Sequence, residues 1–153
     1  MSAPRSESVL DGLRFDLPTE PFPSFVPASS PDTDFYWRGD GKALRMLTCN
    51  ACGKITHPPG PVCGYCHSRD VAPKEVSGRA TLYAWTVNVQ GFIPGLPPYC
   101  PAMVTLDEQD DVKITTQLVG VRNEDIEVGM PVQVVFAQGL DGVMLPFFEP
   151  VSA

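Results

Sequence analysis

No stretch of this 153-residue sequence stays apolar for the ~20 residues a bilayer crossing needs, which excludes a helical membrane span. Met1 to Glu7 lacks the apolar core of an export leader, so the chain is expected in the cytoplasm with its thiols reduced. G-x-S-x-G, the P-loop and G-x-G-x-x-G are all missing, which removes three common catalytic or nucleotide-binding signatures. Histidine is scarce, with only His57 and His67, and a lone histidine beside a cysteine cluster serves as a loop or outer-shell group more readily than as a base. Positive charge is in short supply as well. Eleven basic residues face eighteen acidic ones, and a chain of net charge −7 repels a polyanion unless it gathers a large basic patch.

Cysteine is where the sequence becomes specific. Four of the five cysteines form two tight pairs, Cys49-Asn50-Ala51-Cys52 and Cys63-Gly64-Tyr65-Cys66, separated by ten residues. Each C-x-x-C turn aims two thiolates at one point, and two such turns close a tetrahedral site for a borderline divalent metal, zinc above all. Gly53 and Gly64 suit the tight knuckle backbone. Iron held as in rubredoxin, two disulfides and a redox C-x-x-C are the alternatives; disulfides need an exporting leader, and a redox pair is normally single and precedes a helix. A saturated four-thiolate site leaves no open position for catalytic water, so the metal is expected to be structural. His57 is a spare ligand at best. Cys100 stands apart between Tyr99 and Pro101 without an electropositive setting or a local base, and is expected to be a buried structural thiol.

Basic charge is concentrated on this same stretch. From Arg38 to Arg79 lie seven of the eleven basic residues against only Asp40, Asp70 and Glu75. They either offset the thiolate charge on a solvated ribbon or form a site for a phosphate-bearing partner, with Arg45, Lys54 and Arg79 as candidates.

Three segments follow from composition and period. Residues 1–34 carry six prolines and scattered apolar side chains (Leu10, Leu13, Phe15, Leu17, Phe22, Phe25, Val26), which predicts an extended arm packed along the protein or a partner. Residues 35–76 hold a short helix or turn, with Asp34 as its candidate N-cap and Phe35-Tyr36-Trp37 as an aromatic plug or partner anchor, followed by the metal ribbon. Residues 77–153 switch to a period of two. Runs over 81–89, 102–107, 112–118, 132–137 and 143–149 predict five strands, with a capped helical turn at Asn123–Gly129 between the third and fourth. That is the order of an OB barrel, giving a mainly β fold; a five-strand sandwich fragment is the alternative. The loop between the first two strands carries Phe92, Ile93, Leu96 and Tyr99, which either cover the barrel end or dock a ligand.

The cysteine knuckles, the intervening His57-Pro58-Pro59, the post-ribbon Ser77-Gly78-Arg79, the Gly129-Met130-Pro131-Val132 turn and the closing Leu145-Pro146-Phe147-Phe148 stand in the order of a known family. From about Phe35 to Pro150 the chain resembles the acyl-CoA-associated family that joins a rubredoxin-like zinc ribbon to an OB fold. The resemblance implies that Cys49, Cys52, Cys63 and Cys66 hold zinc. It also implies a non-catalytic accessory subunit, docked on a thiolase-fold subunit such as the lipid-transfer-protein-type thiolases and aldolases of steroid side-chain or aromatic degradation. In such a complex the barrel would help shape the path of an acyl-CoA whose C–C bond the partner breaks or makes. A ribbon/OB module binding single-stranded nucleic acid through stacked aromatics and a freestanding acyl-CoA binder are the competing expectations.

Overall fold

The computed structural model describes residues 8–22, 28–91 and 94–152. Alternating side chains set the strands. In β5 (Cys100–Leu106) every second residue is buried, from Cys100 through Ala102 and Val104 to Leu106. β4 (Arg79–Trp85), β6 (Lys113–Leu118), β8 (Pro131–Gln138) and β9 (Met144–Pro150) join it in a closed barrel of order β4-β5-β6-β9-β8. Among the described barrel strands the parallel pairing is β6 with β9 at Leu118 and Phe148, and Thr116 Oγ1 donates to the Pro146 carbonyl at 2.8 Å across the same seam. Five strands in this order, antiparallel except at one seam, make the OB fold that the two-residue period predicts. Leu82, Val104, Ile114, Leu118, Val132 and Phe148 fill its interior.

Strand β4 ends at Trp85, short of the predicted Val89. A bulge between Leu82 and Ala84 sets two residues against Met103 and shifts the inward face from Leu82 to Trp85. Beyond it, among the described residues, the Thr86 N–H still reaches the Pro101 carbonyl at 3.0 Å and Asn88 bridges Tyr99. The predicted helical turn at Asn123–Gly129 is a three-residue 3-10 turn, Asn123–Asp125, without a side-chain cap, because Ile126 must turn into the core.

The arm packs on the barrel. β1 (Arg14–Phe15) pairs with β7 (Val121–Arg122), burying Phe15, while Leu17 and Phe22 cover a second cluster built on Val143, Leu145 and Phe147. Phe22 meets Phe147 edge-on at 5.6 Å. Phe25 and Val26 of the predicted arm lie outside the described residues. α1 (Asp34–Trp37) is a single turn whose N-cap is Thr33, not Asp34. As the first helical residue, Asp34 turns its carboxylate back to Ser29 Oγ (2.6 Å) and the Ser30 N–H (3.0 Å), which hold its pKa below the ordinary range. Tyr36 is buried, and Phe35 and Trp37 pack against the core as the plug predicted for them. Among the described residues, no helix is long and apolar enough to cross a membrane.

Candidate metal centre

The ribbon is a two-stranded sheet, β2 (Arg45–Cys49) against β3 (Val71–Glu75), in the register Cys49 to Val71. Its first knuckle closes when the Gly53 N–H returns to the Cys49 carbonyl at 2.9 Å, with Gly53 at φ +74°. The second repeats the device: the His67 N–H reaches the Cys63 carbonyl at 3.1 Å, with His67 itself at φ +60°. The left-handed position of the second knuckle therefore belongs to His67. Gly64, expected to supply that freedom, has no positive φ.

Together the knuckles bring the sulfurs of Cys49, Cys52, Cys63 and Cys66 within 4.8 Å of one another. The Cys49–Cys66 separation is 3.6 Å and the Cys52–Cys63 separation 3.7 Å. These are far from the ~2.05 Å of a disulfide, and all five cysteines are free thiols. They match the edge of about 3.8 Å that a tetrahedron with metal–sulfur bonds of about 2.3 Å requires. Cys49 and Cys63 are buried beneath the knuckles; Cys52 and Cys66 are exposed. Backbone N–H groups of Cys66 and Tyr65 point at Cys63 and lower its thiol to about 6, favouring the thiolate a metal needs. The donor set fits one soft or borderline divalent ion. His57 stays outside the cluster, half-buried against the Tyr36 ring at 6.1 Å.

A residue that the sequence reading passed over ties this centre to the barrel. Gln109 accepts the Ile55 N–H at 2.9 Å, donates to the Ile55 carbonyl at 3.1 Å, and donates to the Tyr65 hydroxyl at 2.9 Å. Tyr65, between two of the cysteines, in turn donates to Asp111 at 2.8 Å. Its only sequence signal is a glutamine in an otherwise acidic turn, Glu108-Gln109-Asp110-Asp111.

The other expected site residues are dispersed. Arg45 pairs with Glu75 at 2.9 Å and faces Asp40 at 3.8 Å, Lys54 sits over the Tyr65 ring at 5.7 Å, and Arg79 opens β4 near Glu108. Leu96 and Tyr99 belong to the loop beyond the far end of β4. They line a cavity of about 520 Å³ between that loop and the arm from Arg14 to Phe22, floored by Gln117 to Val119, with the charged Arg14, Asp16 and Glu20 set among apolar and proline side chains. Phe92 and Ile93 lie outside the described residues. Cys100 also borders this cavity but is buried, and its burial raises the thiol to about 11.

Residues 43–72 match the family described as "ChsH2, rubredoxin-like zinc ribbon domain", and residues 73–137 match "ChsH2, C-terminal OB-fold domain". A Pyrococcus furiosus "DUF35 domain-containing scaffold protein" is 32% identical over 104 residues, covering 65% of this chain and 74% of its own length. The chain belongs to the DUF35 family. In space, this DUF35 chain superposes on a chain of the solved "Ltp2-ChsH2(DUF35) aldolase" with a TM-score of 0.73 and 33% identity, covering 82% of this chain and 98% of that one. The "Probable enoyl-CoA hydratase alpha subunit" of Thermomonospora curvata is 35% identical over 127 residues, 81% of this chain. The Mycobacterium tuberculosis "3-oxo-4,17-pregnadiene-20-carboxyl-CoA hydratase alpha subunit" is 31% identical over 111 residues, 72% of this chain. The DUF35 chain spans only 39% and 35% of the lengths of these two hydratase subunits.

Proposed function

We propose that this chain is a zinc-binding, non-catalytic accessory subunit of a complex that breaks or makes a C–C bond in an acyl-CoA, docked on a thiolase-fold partner of the lipid-transfer-protein type. The observation that carries the reading is the likeness to the DUF35 chain of an aldolase over 98% of that chain's length. The four-sulfur cluster supports a structural ion, because all four coordination positions are taken by Cys49, Cys52, Cys63 and Cys66 and none remains for water. Zinc would fix the knuckles and, through Tyr65 and Gln109, the seating of the ribbon on the barrel. The cavity between the arm and the Pro94–Cys100 loop, whose lining joins Phe15, Leu17, Phe22, Leu96 and Leu118 to a few polar groups, supports a role beside the path of the acyl group. With the arm lying along one side of the barrel and a net charge of −7, the nucleic-acid reading loses ground.

A second reading is favoured by the names of two relatives: the partner would be a hydratase subunit adding water to an enoyl-CoA. Co-expression with each class of partner, followed by size-exclusion chromatography, separates them. A single peak with the thiolase-fold subunit and retro-aldol or thiolytic turnover supports the first reading. A peak and hydration only with the hydratase-type subunit supports the second, and two separate peaks in both mixtures would refute both.

A further inference from the structure

The four cysteines of the cluster are not equivalent. Cys49 and Cys63, the first of each knuckle, are 0% exposed, whereas Cys52 and Cys66, the second of each, are exposed residues. Each exposed cysteine sets its sulfur against a buried one of the other knuckle, Cys66 against Cys49 at 3.6 Å and Cys52 against Cys63 at 3.7 Å. A thiolate on an exposed residue is open to small oxidants, and a second thiol beside it converts the product to a reversible disulfide. Both knuckles supply both features.

The same knuckles carry the seam between ribbon and barrel. Tyr65 sits between Cys63 and Cys66, with its N–H on the Cys63 sulfur at 3.4 Å and its hydroxyl bonded to Gln109 at 2.9 Å and Asp111 at 2.8 Å. In the other knuckle the Cys49 N–H reaches the Lys54 carbonyl at 2.9 Å, directly before the Ile55 that Gln109 holds. Sulfurs at 3.6 and 3.7 Å cannot close to the ~2.05 Å of a disulfide without moving these two loops.

We propose that the cluster is a peroxide-sensitive clasp: oxidation joins Cys49 to Cys66 and Cys52 to Cys63, releases the ion and loosens the ribbon from the barrel. The inference rests on the structural-ion reading of the cluster and is independent of which partner the chain has. In the first step the Cys66 thiolate attacks one oxygen of hydrogen peroxide, the O–O bond breaks and hydroxide leaves, giving a sulfenic acid. The Cys49 thiolate then attacks that sulfur, the S–O bond breaks and a second hydroxide leaves, so two thiolates pass two electrons to one peroxide. Cys52 and Cys63 repeat the sequence with a second peroxide. Every anionic donor is thereby lost, and a dithiol reductant restores them. Once either disulfide has formed only two sulfurs of the cluster remain, so one pairing dictates the other. Ligation slows these sulfurs, which sets the conversion on a scale of minutes and apart from a fast thiol titration. Cys100, buried at the start of β5, takes no part.

The test treats the full metal-loaded chain with hydrogen peroxide near neutral pH, after elemental analysis of the untreated protein. A metal-binding dye reads the released ion, peptide mass spectrometry after alkylation reads the sulfur pairing, and amide hydrogen exchange reads residues 54–66. The proposal expects stoichiometric release within about an hour at about 1 mM peroxide, reversed by dithiothreitol and added metal. It expects the pairs Cys49–Cys66 and Cys52–Cys63, and exchange at Ile55 and Tyr65 faster by about tenfold or more. Tyr65→Phe, which keeps every sulfur but removes the hydroxyl from the seam, should release its ion equally and show a smaller rise at Ile55. Ion and thiols retained after an hour in about 10 mM peroxide overturn the proposal. So do disulfides confined within the knuckles, Cys49–Cys52 and Cys63–Cys66, release that dithiothreitol cannot reverse, or release with exchange unchanged. An untreated chain without metal refutes the structural-ion reading; a metal-loaded chain that peroxide leaves intact refutes this inference alone.

Discussion

The side-chain amide of Gln109 pairs with both backbone groups of Ile55, accepting its N–H at 2.9 Å and donating to its carbonyl at 3.1 Å. A barrel turn thus completes a loop of the ribbon as a neighbouring strand would. Gln109 is 9% exposed, so its removal leaves buried backbone groups unpaired. Gln109→Ala is expected to cost roughly 2–3 kcal/mol in urea denaturation. Gln109→Glu should cost at least as much, because a carboxylate cannot donate to the Ile55 carbonyl or the Tyr65 hydroxyl. Unchanged midpoints for both variants would show that the brace contributes nothing.

The thiols provide a count. With metal bound, none of the five cysteines should react quickly with an aromatic disulfide reagent at pH 8: four are ligands and Cys100 is buried. A strong chelator should expose four, and denaturant the fifth. Rapid reaction of four thiols without chelator would contradict the metal site. Burial raises Cys100 from 9.0 to about 11, so folding favours its protonated form. The stability this confers is complete below about pH 9 and falls as the pH rises toward 11. Cys100→Ala should remove that part of the alkaline decline in thermal unfolding; an identical decline would contradict it.

Gly78 is buried at φ +74°, and a Cβ there would strike the Val134 side chain, while its carbonyl accepts the Val134 N–H at 2.7 Å. Gly78→Ala is expected to destabilise by about 1–3 kcal/mol through left-handed strain and the clash. Thermal unfolding checks this, and a neutral result would mean that β8 yields without loss.

Much of this was legible because two strong signals occur in the chain. The Cys49/Cys52 and Cys63/Cys66 pairs define a point in space once each turn is tight, and the alternation Cys100, Ala102, Val104, Leu106 can satisfy only one face of a sheet. What escaped depends on contacts between distant residues. The bulge after Leu82 is dictated by pairing with β5, and no local pattern marks it. His67 in the left-handed position looks like an ordinary histidine in the sequence, and Asp34 misled because its capping oxygen can turn backward as readily as forward. Gln109 was hidden by acidic neighbours that suggest a solvated turn. The opposition of Cys66 to Cys49 and of Cys52 to Cys63 is likewise a juxtaposition only the folded chain creates.

The central claim is that this chain supports chemistry carried out by another subunit. Its most direct test is acyl-CoA turnover by the purified thiolase-fold partner, titrated with this chain and with its Cys52→Ser/Cys63→Ser variant. The account predicts no turnover by the chain alone, a partner rate that climbs to a plateau as the metal-loaded chain reaches stoichiometry, and little or no climb with the variant. A partner rate that stays flat throughout the titration, or turnover by the chain by itself, would contradict it.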